Sequence, residues 1–193
     1  MAYSTRNIEL WELKNIYNRI EQDFAEGEYP PYDKLYKQLE AGMQRGTIFT
    51  DEGRDVAYSI CAESETGYVL LSLLAVYPEY RGKGYGSAFL ENLKNVYSDK
   101  NGIIVEVEKP EDVSGQEKAI REKRINFYQK SGFSIILGIE YSIWDVPMHL
   151  MALPLNSGIS EIADNMGQII YDIYLMLLGK RFIYKLEFRK INQ

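Results

Sequence analysis

The sequence predicts an α/β fold, in the sense of a mixed α+β sheet with helices packed on it. Three observations support this prediction. Short β-prone segments separated by turn residues predict an antiparallel meander between residues 47 and 76. The apolar run that ends at Val76 leads through a glycine-rich loop into a helical pattern. Farther along, strand and helix patterns alternate up to residue 153, as mixed sheets require.

The first part of the chain predicts two helices. Residues 7–26 place apolar side chains at helical spacing, and Gly27 followed by Pro30 and Pro31 ends that pattern. A second helix is predicted to begin at Asp33 and to end within residues 42–46. Residues 2–6 are short and polar, so no clear strand is predicted before the first helix.

The middle of the chain predicts most of the sheet. The segment 47–50 and the return strand 55–63 flank an Asp-Glu-Gly turn, and the next strand covers residues 68–76. After the glycine loop we predict a helix (87–98), a strand (103–108), a polar loop (111–117) and a second helix (118–130). A strand (133–137), a loop or bent strand (138–145) and a last strand (146–153) follow.

The remaining segment differs in character. Residues 154–157 look like a linker, 159–178 predict a mostly apolar helix, and 181–188 alternate weakly like an edge strand. We therefore predict a main domain over residues 1–153 and a C-terminal extension over 154–193. A helix this apolar should be buried, either against the domain or against a second copy in a homodimer.

Composition excludes several classes of protein. The chain has 193 residues, with 46% apolar and 26% charged residues, which are values of an ordinary globular protein. A formal net charge of −6 without a basic face argues against nucleic-acid binding. The N-terminus lacks the apolar core of a signal peptide, and the apolar stretch 169–178 is too short to span a membrane. We expect a cytoplasmic protein that does not associate with membranes.

Metal binding is not expected either. The chain has one histidine, His149, and one cysteine, Cys61. A structural zinc site needs about four such ligands. Cys61 lies in a strand-like run, so we predict that its thiol is buried. We predict that His149 has a structural position on the last strand.

The loop Arg81-Gly82-Lys83-Gly84-Tyr85-Gly86 has the properties of an anion cradle. Glycines allow the backbone to approach a ligand closely, and the first amides of the following helix favour negative charge. Arg81 and Lys83 add positive charge suited to phosphate. The alternative is a glycine-rich turn whose basic side chains are only solvated.

The spacing of this loop fits neither common nucleotide-binding pattern. GxGxxG and GxxxxGK[ST] are both absent. Val76, Arg81, Gly84 and Gly86 instead match V-x-x-x-x-[RQ]-x-x-G-x-[GA], which resembles the acetyl-CoA signature of the GCN5-related N-acetyltransferase (GNAT) superfamily.

A second element agrees with this resemblance. The run from Phe127 to Phe133 is similar to the family motif [FL]-Y-x-K-x-G-F, and the two motifs stand in the family's order. The resemblance covers about residues 8–153. It implies the GNAT acyl-CoA N-acyltransferase fold, with a central, mostly antiparallel sheet whose middle strands splay apart, followed here by a C-terminal helix–strand extension.

The resemblance implies a set of residues that bind acetyl-CoA. The end of the strand before the loop would bond the pantetheine arm, and the loop amides would hold the pyrophosphate. Arg121 stands where the family often has a cofactor-contacting asparagine, and the nearby Asn126 is the candidate substitute. The predicted cofactor-binding residues are Leu74, Ala75, Val76, Arg81, Gly82, Lys83, Gly84, Tyr85, Gly86, Ser87, Asn126 and Tyr128.

Acetyl transfer to an amine requires a base and an acid. The resemblance implies that Tyr128 protonates the coenzyme A thiolate; the alternative is an aromatic side chain that only packs. Glu106 and Glu108 lie two apart on one strand, hence on one face, and are the candidate bases. Neighbouring carboxylates raise each other's pKa, which suits a base. They would equally bind a cationic amine or form a solvated strand face.

Residues for the acceptor are predicted by family analogy alone. Phe24, Glu28 and Tyr29 lie in the proline-flanked turn, and Tyr141 and Asp145 precede the last strand. The sequence thus predicts an N-acetyltransferase that moves an acetyl group from acetyl-CoA directly to a primary amine of a small molecule or peptide. The alternative function is a non-catalytic acyl-CoA sensor or scaffold with the same fold.

Overall fold

The computed structural model describes residues 2–191 and divides into two compact units. The first contains the chain up to Glu63 together with Leu71–Leu93. The second contains Ser64–Leu70 and the chain from Lys94 onward. The strands are β1 (Tyr3–Asn7), β2 (Gln44–Asp51), β3 (Arg54–Glu63), β4 (Tyr68–Val76), β5 (Gly102–Glu108), β6 (Ser134–Ile135), β7 (Ile139–Ile143), β8 (Val146–Pro154) and β9 (Leu186–Lys190). The helices are α1 (Leu13–Asp23), α2 (Tyr32–Glu40), α3 (Tyr85–Val96), α4 (Gly115–Lys130) and α5 (Ile159–Leu178).

In the first unit the strand order is β1-β2-β3-β4. The prediction that no clear strand precedes the first helix is wrong, since β1 pairs antiparallel with β2 from Tyr3 opposite Asp51 to Asn7 opposite Thr47. Four of its five residues are exposed. An exposed edge strand can be polar on both faces, so it lacks the apolar alternation by which strands are recognised.

The second unit contains the parallel part of the sheet. Tyr68–Leu70 of β4 pair in parallel with Gly102–Ile104 of β5, and the following pairs, β5-β8, β8-β7 and β7-β9, are antiparallel. The parallel ladder covers three residues of each strand, although β4 has nine residues and β5 has seven. The sheet is thus mostly antiparallel with one parallel pair, and the predicted fold class is confirmed.

Element bounds agree with the sequence where apolar patterns are long. β4 and α5 have the predicted bounds. Helix α3 begins at Tyr85 rather than Ser87, and α1 is shorter than predicted because residues before Leu13 form turns. The predicted edge strand at 181–188 is displaced: a 3-10 turn occupies Ile183–Lys185 and β9 follows it. Within residues 2–191, no helix is long and apolar enough to cross a membrane.

Helix α5 packs on the sheet of the second unit. Its buried side chains lie on one face, as its apolar spacing predicts: Ile162, Met166, Ile169, Ile170 and Ile173. The helix approaches β5 most closely at Gly102, where a Cβ atom would lie 2.9 Å from Ile162 Cδ1 and 3.0 Å from the Leu153 carbonyl oxygen. The missing side chain of Gly102 is therefore a condition for this packing. The domain boundary at residue 153 remains a prediction.

We expect Gly102→Ala to destabilise the protein by about 1–3 kcal/mol, because the new methyl group must displace a helix side chain and a strand carbonyl. Gly158→Ala is the matched control, since its Cβ would meet nothing within 4 Å and its φ of −78° suits alanine. Urea unfolding of both variants measures the difference. Equal free energies of unfolding would contradict the close packing of α5 on β5.

Candidate active site

The glycine loop has a backbone that only glycine adopts easily. Gly82 and Gly84 have φ angles of +74° and +85°. A Cβ at either position would meet nothing within 4 Å. Glycine is thus required for backbone conformation, and the space beside these two residues is open, as a backbone that receives a ligand requires.

The loop leads directly into the N-terminus of α3. The Ala88 amide donates to the Gly84 carbonyl oxygen at 3.1 Å, which closes the first turn. Tyr85, Gly86 and Ser87 therefore supply first-turn amides, which have no carbonyl partner within the helix. Such amides and the helix dipole favour an anion. The loop fits the phosphates of coenzyme A in this respect.

The two cations of the loop are exposed but already engaged. Arg81 Nε donates to the Val76 carbonyl oxygen at 3.0 Å, and Arg81 Nη2 donates to Asp23 Oδ1. Lys83 Nζ donates to the Glu79 carbonyl oxygen at 2.9 Å. Arg81 therefore joins the loop to the end of β4 and to helix α1.

Asp23 is a hydrogen-bond acceptor with a buried side chain, and the sequence did not predict this role. Its side chain is only 5% exposed, and it also accepts a hydrogen bond of 2.9 Å from the Tyr58 hydroxyl. Burial, followed by the charge of Asp23, raises the pKa of Tyr58 far above its ordinary value. In the sequence, Asp23 is one more polar position in a helix, and nothing indicates its partners on other elements.

Tyr85 is also fixed by a carboxylate. Its hydroxyl donates to Asp51 Oδ2 at 2.7 Å, and this hydrogen bond raises the pKa of Tyr85. Asp51, at the end of β2, is buried. In β4, Leu74 and Val76 are half-buried and Ala75 is buried.

The second motif lies at the end of α4. Tyr128 is half-buried, with its ring centroid 5.1 Å from that of Phe127 and 5.3 Å from that of Phe133. Asn126 is exposed on the same helix. Arg121 donates to the Lys109 carbonyl oxygen at 2.9 Å and pairs with Glu117, so it braces the start of α4.

The two candidate bases on β5 have different surroundings. Glu108 pairs with Arg121 at 3.0 Å and with Arg124 at 3.1 Å. Glu106 accepts hydrogen bonds from two phenols instead, Tyr141 on β7 and Tyr174 on α5. Within residues 2–191, no cation pairs with Glu106.

Burial governs the ionisation of Glu106. It raises the pKa of Glu106 above its ordinary value, against the opposing effect of the two phenol hydrogen bonds. Burial and the nearby Glu106 charge raise the pKa values of Tyr141 and Tyr174 well above the ordinary range. The upward shift of the Glu106 pKa makes this carboxyl a stronger base than an ordinary one. The cause is removal from water, whereas the sequence suggested repulsion from Glu108.

The residues predicted to line the site of the acceptor amine are dispersed over both units. Phe24 and Tyr29 pack against the core of the first unit, and Glu28 accepts a hydrogen bond from the Ala25 amide at 2.9 Å. Asp145 pairs with Lys185 at 2.9 Å. Of the five predicted positions, Tyr141 is the one in contact with a candidate base.

The remaining titratable candidates have structural partners. His149 Nε2 lies 3.1 Å from Glu111 Oε2. Cys61 is a buried thiol that forms no disulfide, as predicted. In the described part of the chain, no group of three histidine, cysteine, aspartate or glutamate side chains is arranged to hold a metal ion.

Comparison with solved structures supports the same fold. An acetyltransferase assigned to the GNAT family from Bacteroides thetaiotaomicron is 22% identical, with 91% of this chain and 98% of that chain covered and a TM-score of 0.72. The ribosomal-protein-S18-alanine N-acetyltransferase from Escherichia coli is 23% identical, with coverages of 81% and 96% and a TM-score of 0.58.

A third similar structure is the spermidine N-acetyltransferase from Vibrio cholerae in complex with CoA and spermine. It is 15% identical, with coverages of 80% and 96% and a TM-score of 0.61. At these identities the similarity establishes the fold alone. No curated protein matches the sequence.

A match to a family model covers the middle of the sequence. Residues 44–135 match the family model described as an acetyltransferase (GNAT) domain. This match contains the glycine loop, both candidate bases and the motif that includes Tyr128. Residues 44–135 of this chain thus match the GNAT acetyltransferase domain, and the chain has the fold of solved GNAT acetyltransferases.

Proposed function

We propose that this chain transfers an acetyl group from acetyl-CoA directly to a primary amine of a small molecule or peptide. The observation that carries the proposal is Glu106, a half-buried carboxylate in the segment that matches a GNAT domain. It is held by two phenols and paired with no cation among residues 2–191. Such a group both attracts an ammonium ion and accepts its proton.

The glycine loop is the proposed site for the donor. Its first-turn amides at residues 85–87 would hold the pyrophosphate, helped by the exposed charges of Arg81 and Lys83. The backbone of Leu74, Ala75 and Val76 would bond the pantetheine arm. Bound acetyl-CoA would supply an activated thioester, the carbonyl of which the amine attacks.

Two side chains of the chain itself would move protons. Glu106 would remove a proton from the ammonium group of the acceptor, so that the free amine can attack. Its raised pKa suits this role, because a carboxylate of ordinary pKa is too weak a base near neutrality. Tyr128 would give a proton to the departing sulfur. Glu108 is already neutralised by two arginines and would position α4 on β5.

An amine acceptor is supported by the properties of Glu106 more than by the similarity to known enzymes. Similar structures act on spermidine and on an alanine of a ribosomal protein, which are both amines. The uncompensated charge of Glu106 favours a cationic acceptor. Cytoplasmic location and a homodimer remain proposals that fit such an enzyme.

Acetyl-CoA is expected to raise the melting temperature of the protein, because a ligand that binds the native state stabilises it by mass action. Gly84→Trp should abolish this shift by filling the open space of the loop. Gly53→Trp is the matched control: its φ of +79° also strains a tryptophan, and its surroundings are equally open. Differential scanning fluorimetry measures all three proteins, and an absent shift in the wild type with any acyl-CoA would refute donor binding.

An amine screen with detection of the free thiol tests the reaction. With the best acceptor, Glu106→Gln and Tyr128→Phe should each lower kcat/KM by a factor of about 100 or more, as removal of a general base or acid does. Glu122→Gln, an exposed carboxylate on α4, should retain wild-type turnover.

Glu108→Gln distinguishes between the two carboxylates on β5. A larger loss in Glu108→Gln than in Glu106→Gln would reverse the assignment of the base. If acetyl-CoA binds and no amine of any class is acetylated, the protein would be an acyl-CoA sensor.

A further inference from the structure

We propose that Tyr174, on the C-terminal helix, is a positioning residue that orients the Glu106 carboxylate for the acceptor amine. This inference rests on the proposed role of Glu106. Tyr174 lies outside residues 44–135, so the match to the acetyltransferase domain says nothing about its role. Its consequence is that the C-terminal extension forms part of the acceptor site.

The Tyr174 hydroxyl lies within hydrogen-bonding distance of the whole Glu106 carboxylate. The Tyr174 hydroxyl lies 2.9 Å from Glu106 Oε1 and 2.8 Å from Glu106 Oε2, so it contacts both carboxylate oxygens. Tyr141 donates to Oε1 from another side. A carboxylate held at both oxygens cannot rotate without losing a bond, and a fixed orientation is what efficient proton transfer requires.

Helix α5 holds Tyr174 in place. Residues 102, 104, 106 and 108 share one face of β5. Ile162, near the start of α5, packs at Gly102, and Tyr174, three turns later, reaches Glu106. Ile173, the neighbour of Tyr174, is fully buried. The helix thus follows the strand, and the position of the phenol is set by packing along its length.

The charge of Glu106 has no counter-charge beside it within residues 2–191. The groups that contact it there are the two phenols, from β7 and α5. On its own strand, Glu108 is occupied by Arg121 and Arg124. His149 of β8 stands opposite Val107, hence on the other face of the sheet, and it contacts Glu111. A phenol orients a carboxylate without cancelling its charge. A guanidinium in the same place would cancel it, so two tyrosines leave the charge available to a primary ammonium group.

Tyr174→Phe tests the proposal through the pH profile of acetyl transfer. Loss of a hydrogen bond to the carboxylate raises the pKa of Glu106 further. The acid limb of log kcat/KM should therefore move to higher pH, and kcat should fall by about tenfold. Tyr171→Phe is the matched control, because Tyr171 lies on the same helix with its side chain exposed. Its profile should coincide with that of the wild type.

A second measurement does not depend on the acceptor. Carbon-13 NMR of the labelled glutamate side chains follows the titration of Glu106, assigned by its absence in Glu106→Gln. Its midpoint should rise in Tyr174→Phe and stay unchanged in Tyr171→Phe. A midpoint and a rate profile both unchanged in Tyr174→Phe would overturn the inference.

The failure of the inference and the failure of the proposed function are distinguishable. If Glu106→Gln is inactive while Tyr174→Phe matches the wild type, Glu106 is the base and Tyr174 only packs. If Glu106→Gln retains full activity, the proposed role of Glu106 fails and the positioning role fails with it. Melting temperatures of the variants separate either result from misfolding.

Discussion

One face of strand β5 sets the organisation of the second unit. Gly102, Ile104, Glu106 and Glu108 lie along it in order, and each imposes a different requirement. Gly102 admits the start of α5, Ile104 is fully buried, Glu106 requires hydrogen-bond donors, and Glu108 requires positive charge. Burying this face therefore needs α5, β7 and α4 together, since no one of them offers all the partners.

The two carboxylates of this face show how neighbouring groups acquire different chemistry. Glu108 has two guanidiniums within 3.1 Å, and such a pair satisfies its charge. At Glu106 the hydrogen bonds from the two phenols lower the pKa of the carboxyl, but burial raises it by more. When such a carboxyl is ionised, its neutral donors leave the charge unpaired, and perturbed carboxyl groups of this kind are frequent at functional sites.

The sequence predicted those features that depend on local pattern. The bounds of β4 follow from one long apolar run, and the loop was identified by the spacing of Val76, Arg81, Gly84 and Gly86. β1 was not predicted because an edge strand can be held by backbone pairing without an alternation of apolar side chains. Contacts between distant segments, such as Asp23 with Tyr58, carry no local signal at all.

The site shows the same limit. Glu106 could be proposed from alternation on a strand, and Tyr141 from its place before the last strand. Tyr174 lies in a helix whose apolar spacing predicts burial, and nothing in that spacing indicates a partner for its hydroxyl. Its role depends on which strand the helix covers, and that is a property of tertiary packing. A division of the chain at residue 153 separates two partners of one carboxylate.

The bonds of Arg81 have a consequence for how the loop meets its ligand. The guanidinium already donates to the Val76 carbonyl oxygen and to Asp23, a carboxylate withdrawn from water. A phosphate that recruits this side chain must compete with both internal acceptors, and the gain from the new bond is reduced by the loss of the old ones. Main-chain amides at the start of α3 face no such competition within their helix. In this chain the motif arginine tethers the loop, so in the proposed donor site the main-chain amides would make the principal contacts with the anion.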